Sequence, residues 1–119
     1  MTFHYETDPV LQLIEQMGVL VRQASDLLQV GGEATYALAQ QAIGLAMELE
    51  PETIGKLSPA SFMHLLEMHS FDGRVVELIA EALDVQAEAL DGVGEIIDAK
   101  VRREQSAAVR SMLDPNRAN

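Results

Sequence analysis

Six consecutive residues, His64-Leu65-Leu66-Glu67-Met68-His69, carry the side chains best suited to metal or acid–base chemistry in this sequence. On a helix, His64 and Glu67 are three apart and share a face. His64 and His69 are five apart, about 140° round the axis, so one helix does not easily present both to one ion. A zinc-binding H-E-x-x-H helix spaces its histidines by four. A carboxylate-bridged di-metal bundle needs Glu-x-x-His on two helices. The sequence has neither pattern. His69 is therefore expected to terminate a helix and His64 to lie on its surface. A small metal-binding or enzymatic helical domain using His64, Glu67 and His69 is the alternative.

Other reactive groups are less organised still. Glu48, Glu50 and Glu52 crowd a predicted helix end but lack the alternating acidic spacing of a calcium loop. Gly31-Gly32 and Gly92-Val93-Gly94 lack the flanking strand and the lysine of a phosphate loop. Ser25, Ser58, Ser61, Ser70, Ser106 and Ser111 need no more than capping and surface roles. Met17, Met47, Met63, Met68 and Met112 suit an adaptable peptide groove, although at helical spacing among Leu and Ala they read more simply as core. No catalytic, cofactor-binding or metal-ligating residue is expected, and no cofactor.

Composition narrows the class. Hydrophobic residues make up 48% of the 119, enough for the core of one domain, expected to span 1–119 with 1–7 and 115–119 as flexible ends. There is no cysteine, which removes disulfides, thiolate zinc sites and cysteine nucleophiles and fits a cytoplasmic protein. No apolar run reaches eighteen residues, and Met1–Glu6 lacks the basic and apolar regions of a signal peptide. A net charge of −11 argues against nucleic acid and anionic membranes as partners. The charge is uneven. Residues 1–99 hold seventeen Asp/Glu against Arg22, Lys56 and Arg74, whereas residues 100–119 hold Lys100, Arg102, Arg103, Arg110 and Arg117 against Glu104 and Asp114. A cationic last helix is expected to dock on the anionic body, its own or a neighbouring subunit's.

The positioning elements all read as helices. Asp8 and Pro9 open the first, with Val10, Leu13, Ile14, Met17, Leu20, Val21, Ala24, Leu27 and Leu28 at helical spacing up to a stop at Gly31-Gly32. That stripe is wide, so this helix is expected to be covered on more than one side. The second runs from about Glu33 to Leu49, with Ala34, Ala37, Leu38, Ala42, Leu45, Ala46 and Leu49 inside. Gly44 costs it about 1 kcal/mol relative to alanine, and a close crossing or simple tolerance accounts for it equally well. Residues 50–57 form a linker with room for one helical turn. Ser58-Pro59 opens a short third helix ending near Ser70. Asp72 caps a fourth to about Leu90. The turn is placed at Asp91-Gly92, and a fifth helix runs from about Val93 to Leu113 with Ile96, Ile97, Val101, Ala107, Ala108 and Met112 inside. A turn at Asp91-Gly92 sets Asp84 beside Lys100 and Glu81 beside Arg103, each exposed pair worth at most about 1 kcal/mol.

Ala46-Met47-Glu48-Leu49-Glu50-Pro51 resembles the end of a tetratricopeptide second helix, where a small residue precedes a proline by five. The positions for that repeat's Trp, Leu-Gly and Tyr are filled instead by Gln23, Asp26-Leu27 and Val30. The chain also resembles a family of uncharacterised small bacterial all-helical proteins with a tetratricopeptide-like fold. The residues are Asp8-x-x-Leu11-x-x-Ile14-Glu15-Gln16-x-Gly18, Ile54-x-x-Leu57-Ser58-Pro59 and Leu78-Ile79-Ala80-x-x-Leu83-x-x-Gln86-Ala87-Glu88. The resemblance implies a right-handed stack of antiparallel hairpins and no assigned activity.

The expectation is an all-α domain of five helices in antiparallel hairpins. It is expected to act as a non-enzymatic protein-interaction or scaffold module, self-associating as a homodimer. Its expected surface is Val10, Leu13, Met17, Leu20, Ala24 and Leu27 on the first helix.

Overall fold

Three of the helices begin at side-chain caps. The Asp8 carboxylate accepts the Val10 N–H at 2.9 Å, Ser58 Oγ accepts the Ser61 N–H at 3.1 Å, and the Asp72 carboxylate accepts the Arg74 N–H at 2.8 Å. Pro9, Pro51 and Pro59 occupy first helical positions, where a missing N–H costs nothing. The structure, a computed structural model, describes residues 8–113. It contains α1 (Pro9–Asp26), α2 (Gly32–Met47), α3 (Pro51–Gly55), α4 (Pro59–Met68), α5 (Gly73–Gly92) and α6 (Ile96–Ser111), with no strand among the described residues. The linker turn counts as α3, so there are six helices where the spacing predicts five. The ends expected to be flexible, 1–7 and 115–119, lie outside the described residues.

The helix covered on several sides is α5, not α1. Val75, Val76, Ile79, Ala80, Ala82, Leu83, Val85, Gln86, Ala87 and Ala89 are buried along it. It packs against α6, α2 and α1. By contrast α1 buries a single seam of Met17, Val21 and Ala24 and ends at Asp26, with a turn over Leu27–Val30 leading to Gly31 as the α2 cap. Apolar residues on α1 thus outnumber the places the core offers, and Val10, Leu11 and Val19 stay exposed. In α2 and just beyond it, Ala42 and Ala46 are buried and Leu38 and Leu49 pack against the core as expected, whereas Ala34, Ala37 and Leu45 face out and Thr35 and Gln40 are buried.

The α5–α6 hairpin corrects the expected ion pairs. Helix α5 continues through Gly92, and the chain turns at Gly94, whose φ of 85° suits a residue without Cβ. The Glu95 N–H then closes onto the Leu90 carbonyl at 2.9 Å. A later turn sets each α5 residue opposite a later residue of α6, and the long arginine arms extend the reach in the same direction. Asp84 therefore meets Arg110 (2.7 Å) in place of Lys100, and Arg103 meets Asp91 in place of Glu81. Arg110 also reaches Glu77 at 3.1 Å. These carboxylates raise the Arg103 and Arg110 guanidinium pKa values. All the pairs are substantially exposed, so they orient the cationic helix on the acidic one more than they stabilise it.

The Asp72 cap is charge-assisted. Arg74 returns its Nε and Nη2 to the two carboxylate oxygens, both at 3.0 Å. These hydrogen bonds lower the Asp72 pKa from 3.8 to about 2. A carboxyl with a depressed folded-state pKa adds stability that is complete above its unfolded value and is lost as pH falls through the folded one. Carboxyl-detected NMR is expected to place the Asp72 midpoint near pH 2 and to move it back toward 3.8 in Arg74→Gln. An unmoved midpoint in that variant would contradict the assigned cause.

Candidate functional site

Small residues on α6 bring it close to α5. Ala99, Ser106 and Val109 are buried with Arg102 between them, a three–four–three spacing that turns this side inward. Ser106 Oγ donates to the Ala80 carbonyl at 3.2 Å. Ile96 and Ile97, expected inside, instead project from the start of α6 with 61% and 80% of their surface exposed. Ala107 is also outside, and Ala108, Val101 and Met112 are half-buried.

The inward side carries polar residues into the interior. Gln86, fully buried on α5, donates its amide to Gln40 Oε1 at 2.7 Å and to the Tyr36 carbonyl at 3.3 Å. Arg102 donates Nη1 to Gln105 Oε1 at 2.6 Å and Nη2 to the Tyr36 hydroxyl at 2.7 Å. Its guanidinium carbon lies 5.8 Å from the Tyr36 ring centre. Gln86 Oε1, Arg102 Nε and Gln105 Nε2 are buried without a partner among the described residues. A buried network satisfied only in part costs stability, so its presence marks this as the chemically distinctive part of the core. Arg74, Arg103 and Arg110 each hold a carboxylate within 4 Å, whereas Arg102 holds none among the described residues.

Above the network lies an open apolar groove of about 510 Å³ between α2 and α5, lined by Gly32, Glu33, Tyr36, Ala37, Ala89, Leu90 and Val93. Tyr36 and Leu90 are shared with a second pocket of about 260 Å³, completed by Leu57, Pro59, Asp98, Val101 and Arg102. The two adjoin at Tyr36 and Leu90, one apolar and the other holding Arg102. At the mouth, a Cβ on Gly32 would lie 3.2 Å from the Ala89 carbonyl and 3.4 Å from Val93 Cγ1, so the α1–α2 and α5–α6 turns adjoin. Val30 (81% exposed) and Val93 (62%) stand on those turns, and Ile96 and Ile97 follow in the first turn of α6.

The residues singled out by sequence lie elsewhere. Of the α1 stripe, Met17 and Ala24 are fully buried, Leu13 and Leu20 pack against the core, Leu27 is half-buried, and Val10 alone is exposed. This stripe is the seam of α1, because helical apolar spacing is what recruits a residue inward. His64, Glu67 and His69 are all exposed on α4 or at its end. The His69 Nδ1–H donates to the Leu65 carbonyl at 2.8 Å and its ring stacks on Phe71 at 4.9 Å, making it a helix terminator. No group of three or more metal-ligating side chains converges among the described residues. Spacing and charge mark Arg102 only as one cation of the last helix and Gln86 only within a resemblance, and they leave Tyr36 unmarked. The signal for Arg102 is its place in the three–four–three row of small residues.

No family model matches the chain, and no curated protein or solved structure matches it either.

Proposed function

We propose that the protein is a non-enzymatic interaction module that self-associates, as a homodimer, through the end formed by the α1–α2 and α5–α6 turns. One observation carries this reading. Val30, Val93, Ile96 and Ile97, four branched aliphatic side chains on adjoining turns and the first turn of α6, are each at least 61% exposed. Clustered exposed aliphatics gain free energy when a partner covers them. Asp98, Lys100 and Glu104 on the exposed side of α6 mix both signs of charge, so two copies can meet there without purely like-charge contact. The tetratricopeptide-like character belongs to the same proposal and is supported by the antiparallel α1–α2 and α5–α6 hairpins. So does a cytoplasmic setting, supported by the lack of cysteine. The acidic charge supports a protein partner over nucleic acid or an anionic membrane, and no helix of the described residues is long and apolar enough to cross a bilayer.

Light scattering at tens of micromolar is expected to give twice the 13.0 kDa chain mass, and Ile96→Glu/Ile97→Glu to return the single-chain mass with unchanged helical dichroism. A single-chain mass for the unaltered protein would refute self-association.

A further inference from the structure

We infer that the apolar groove and the adjoining Arg102 pocket together bind a small monocarboxylate with an apolar body, its carboxylate at Arg102 and its chain across the Tyr36–Leu90 boundary. Three features converge. First, the adjoining open groove and pocket, of about 510 and 260 Å³, are of the size that takes a small organic ligand, and the larger is lined mostly by carbon. Second, the inner end presents donors. Arg102 is a guanidinium without a carboxylate among the described residues, in a chain with nineteen Asp/Glu. The Tyr36 hydroxyl accepts from Arg102, which leaves its own proton free to donate. Third, the guanidinium is held in place before any ligand arrives, by Gln105 and Tyr36, so little side-chain freedom is lost on binding.

Arg102 favours an anion, and the nearby carboxylates limit its charge. Asp98 lines the inner pocket and Glu33 the mouth. Two nearby carboxylates repel a dianion such as a phosphate monoester more strongly than a monoanion. A carboxylate also matches the planar fork of a guanidinium. The apolar body then lies along Leu90, Ala37, Ala89 and Val93.

Titration calorimetry with decanoate and 1-decanol separates this site from a merely greasy groove. Decanoate is expected to bind one per chain, at least 10-fold more tightly than the alcohol of equal chain length, through charge-assisted hydrogen bonds. Arg102→Gln is expected to abolish that preference. Tyr36→Phe, which removes one hydroxyl and keeps the ring in the core, is expected to weaken decanoate several-fold and leave decanol unchanged. Equal affinities for the two compounds, no binding of decanoate, or a decanoate affinity untouched by Tyr36→Phe would each overturn the assignment. The groove shares Val93 and Asp98 with the proposed dimer end, but Ile96 and Ile97 line neither pocket: Ile96→Glu/Ile97→Glu is expected to retain decanoate binding, and loss of binding there with helicity intact would place the ligand at the dimer end instead.

Discussion

Leu83→Ala is expected to cost about 3 kcal/mol of folding stability. Leu83 is 1% exposed on α5. It lines a small internal cavity of about 10 Å³ together with Ile43 of α2, Ile54 of α3, Phe62 of α4 and Arg102 of α6. Five helices therefore meet around one side chain. Removing its branched end deletes buried contacts and enlarges a void that already exists. The surrounding helices cannot easily close it, because each is anchored by a different connection. A fall of about 3 kcal/mol is a large share of the roughly 5–15 kcal/mol that stabilises a typical domain. For a chain of this length it lowers Tm by about 12 °C. Urea unfolding of the variant checks it. A loss below about 1 kcal/mol would mean that the junction collapses freely, contrary to the jigsaw packing of helical cores.

Gly44→Ala is expected to destabilise by about 2 kcal/mol, against the direction that helix propensity dictates. In an open helix the change would gain about 1 kcal/mol. Here the added Cβ would stand 2.7 Å from the Leu49 carbonyl oxygen, with Ile54 Cδ1 at 3.6 Å and Pro51 N at 3.7 Å. The first of these neighbours is backbone and cannot rotate away. It is held there because α2 ends with Glu48 in a left-handed conformation (φ 57°) and the Leu49 N–H folds back on the Gly44 carbonyl at 3.0 Å. The chain then enters α3 directly at Pro51. Accommodating the methyl group means loosening this reversal, a cost of about 3 kcal/mol from overpacking that exceeds the propensity gain. Thermal unfolding of Gly44→Ala is expected to show Tm lower by about 8 °C. A raised Tm would show that the reversal yields and that this glycine is simply tolerated.

These two sites mark the boundary between what local chemistry reveals and what it leaves open. Helix class and three of the helix starts follow from short-range interactions. Asp8-Pro9, Ser58-Pro59 and Asp72 open helices where expected, because a capping carboxylate or hydroxyl satisfies N–H groups two or three residues away and needs no tertiary partner. The role of Gly44 is not legible in this way, since its clash arises with Leu49, five residues on, through a backbone reversal that propensity does not describe. The ion pairs differ from expectation because a later turn shifts every partner along α6. The candidate site is the least legible part. Hydrophobicity places Ile96 and Ile97 in the interior and leaves Arg102 on the surface, whereas the packing of Ala99 and Ser106 on α5 requires the opposite.

By itself the amino-acid order determined an all-helical chain, three capped starts and a cationic last helix in an otherwise acidic chain, since each depends on spacing and charge within one segment. Tertiary structure alone decided that α5 is the hub, that α1 presents its seam inward, and that Tyr36 and Arg102 meet across 66 residues of sequence. The physical reason is competition. More apolar faces exist than the core can accept, and close approach of small residues, not hydrophobicity, selects which faces are buried.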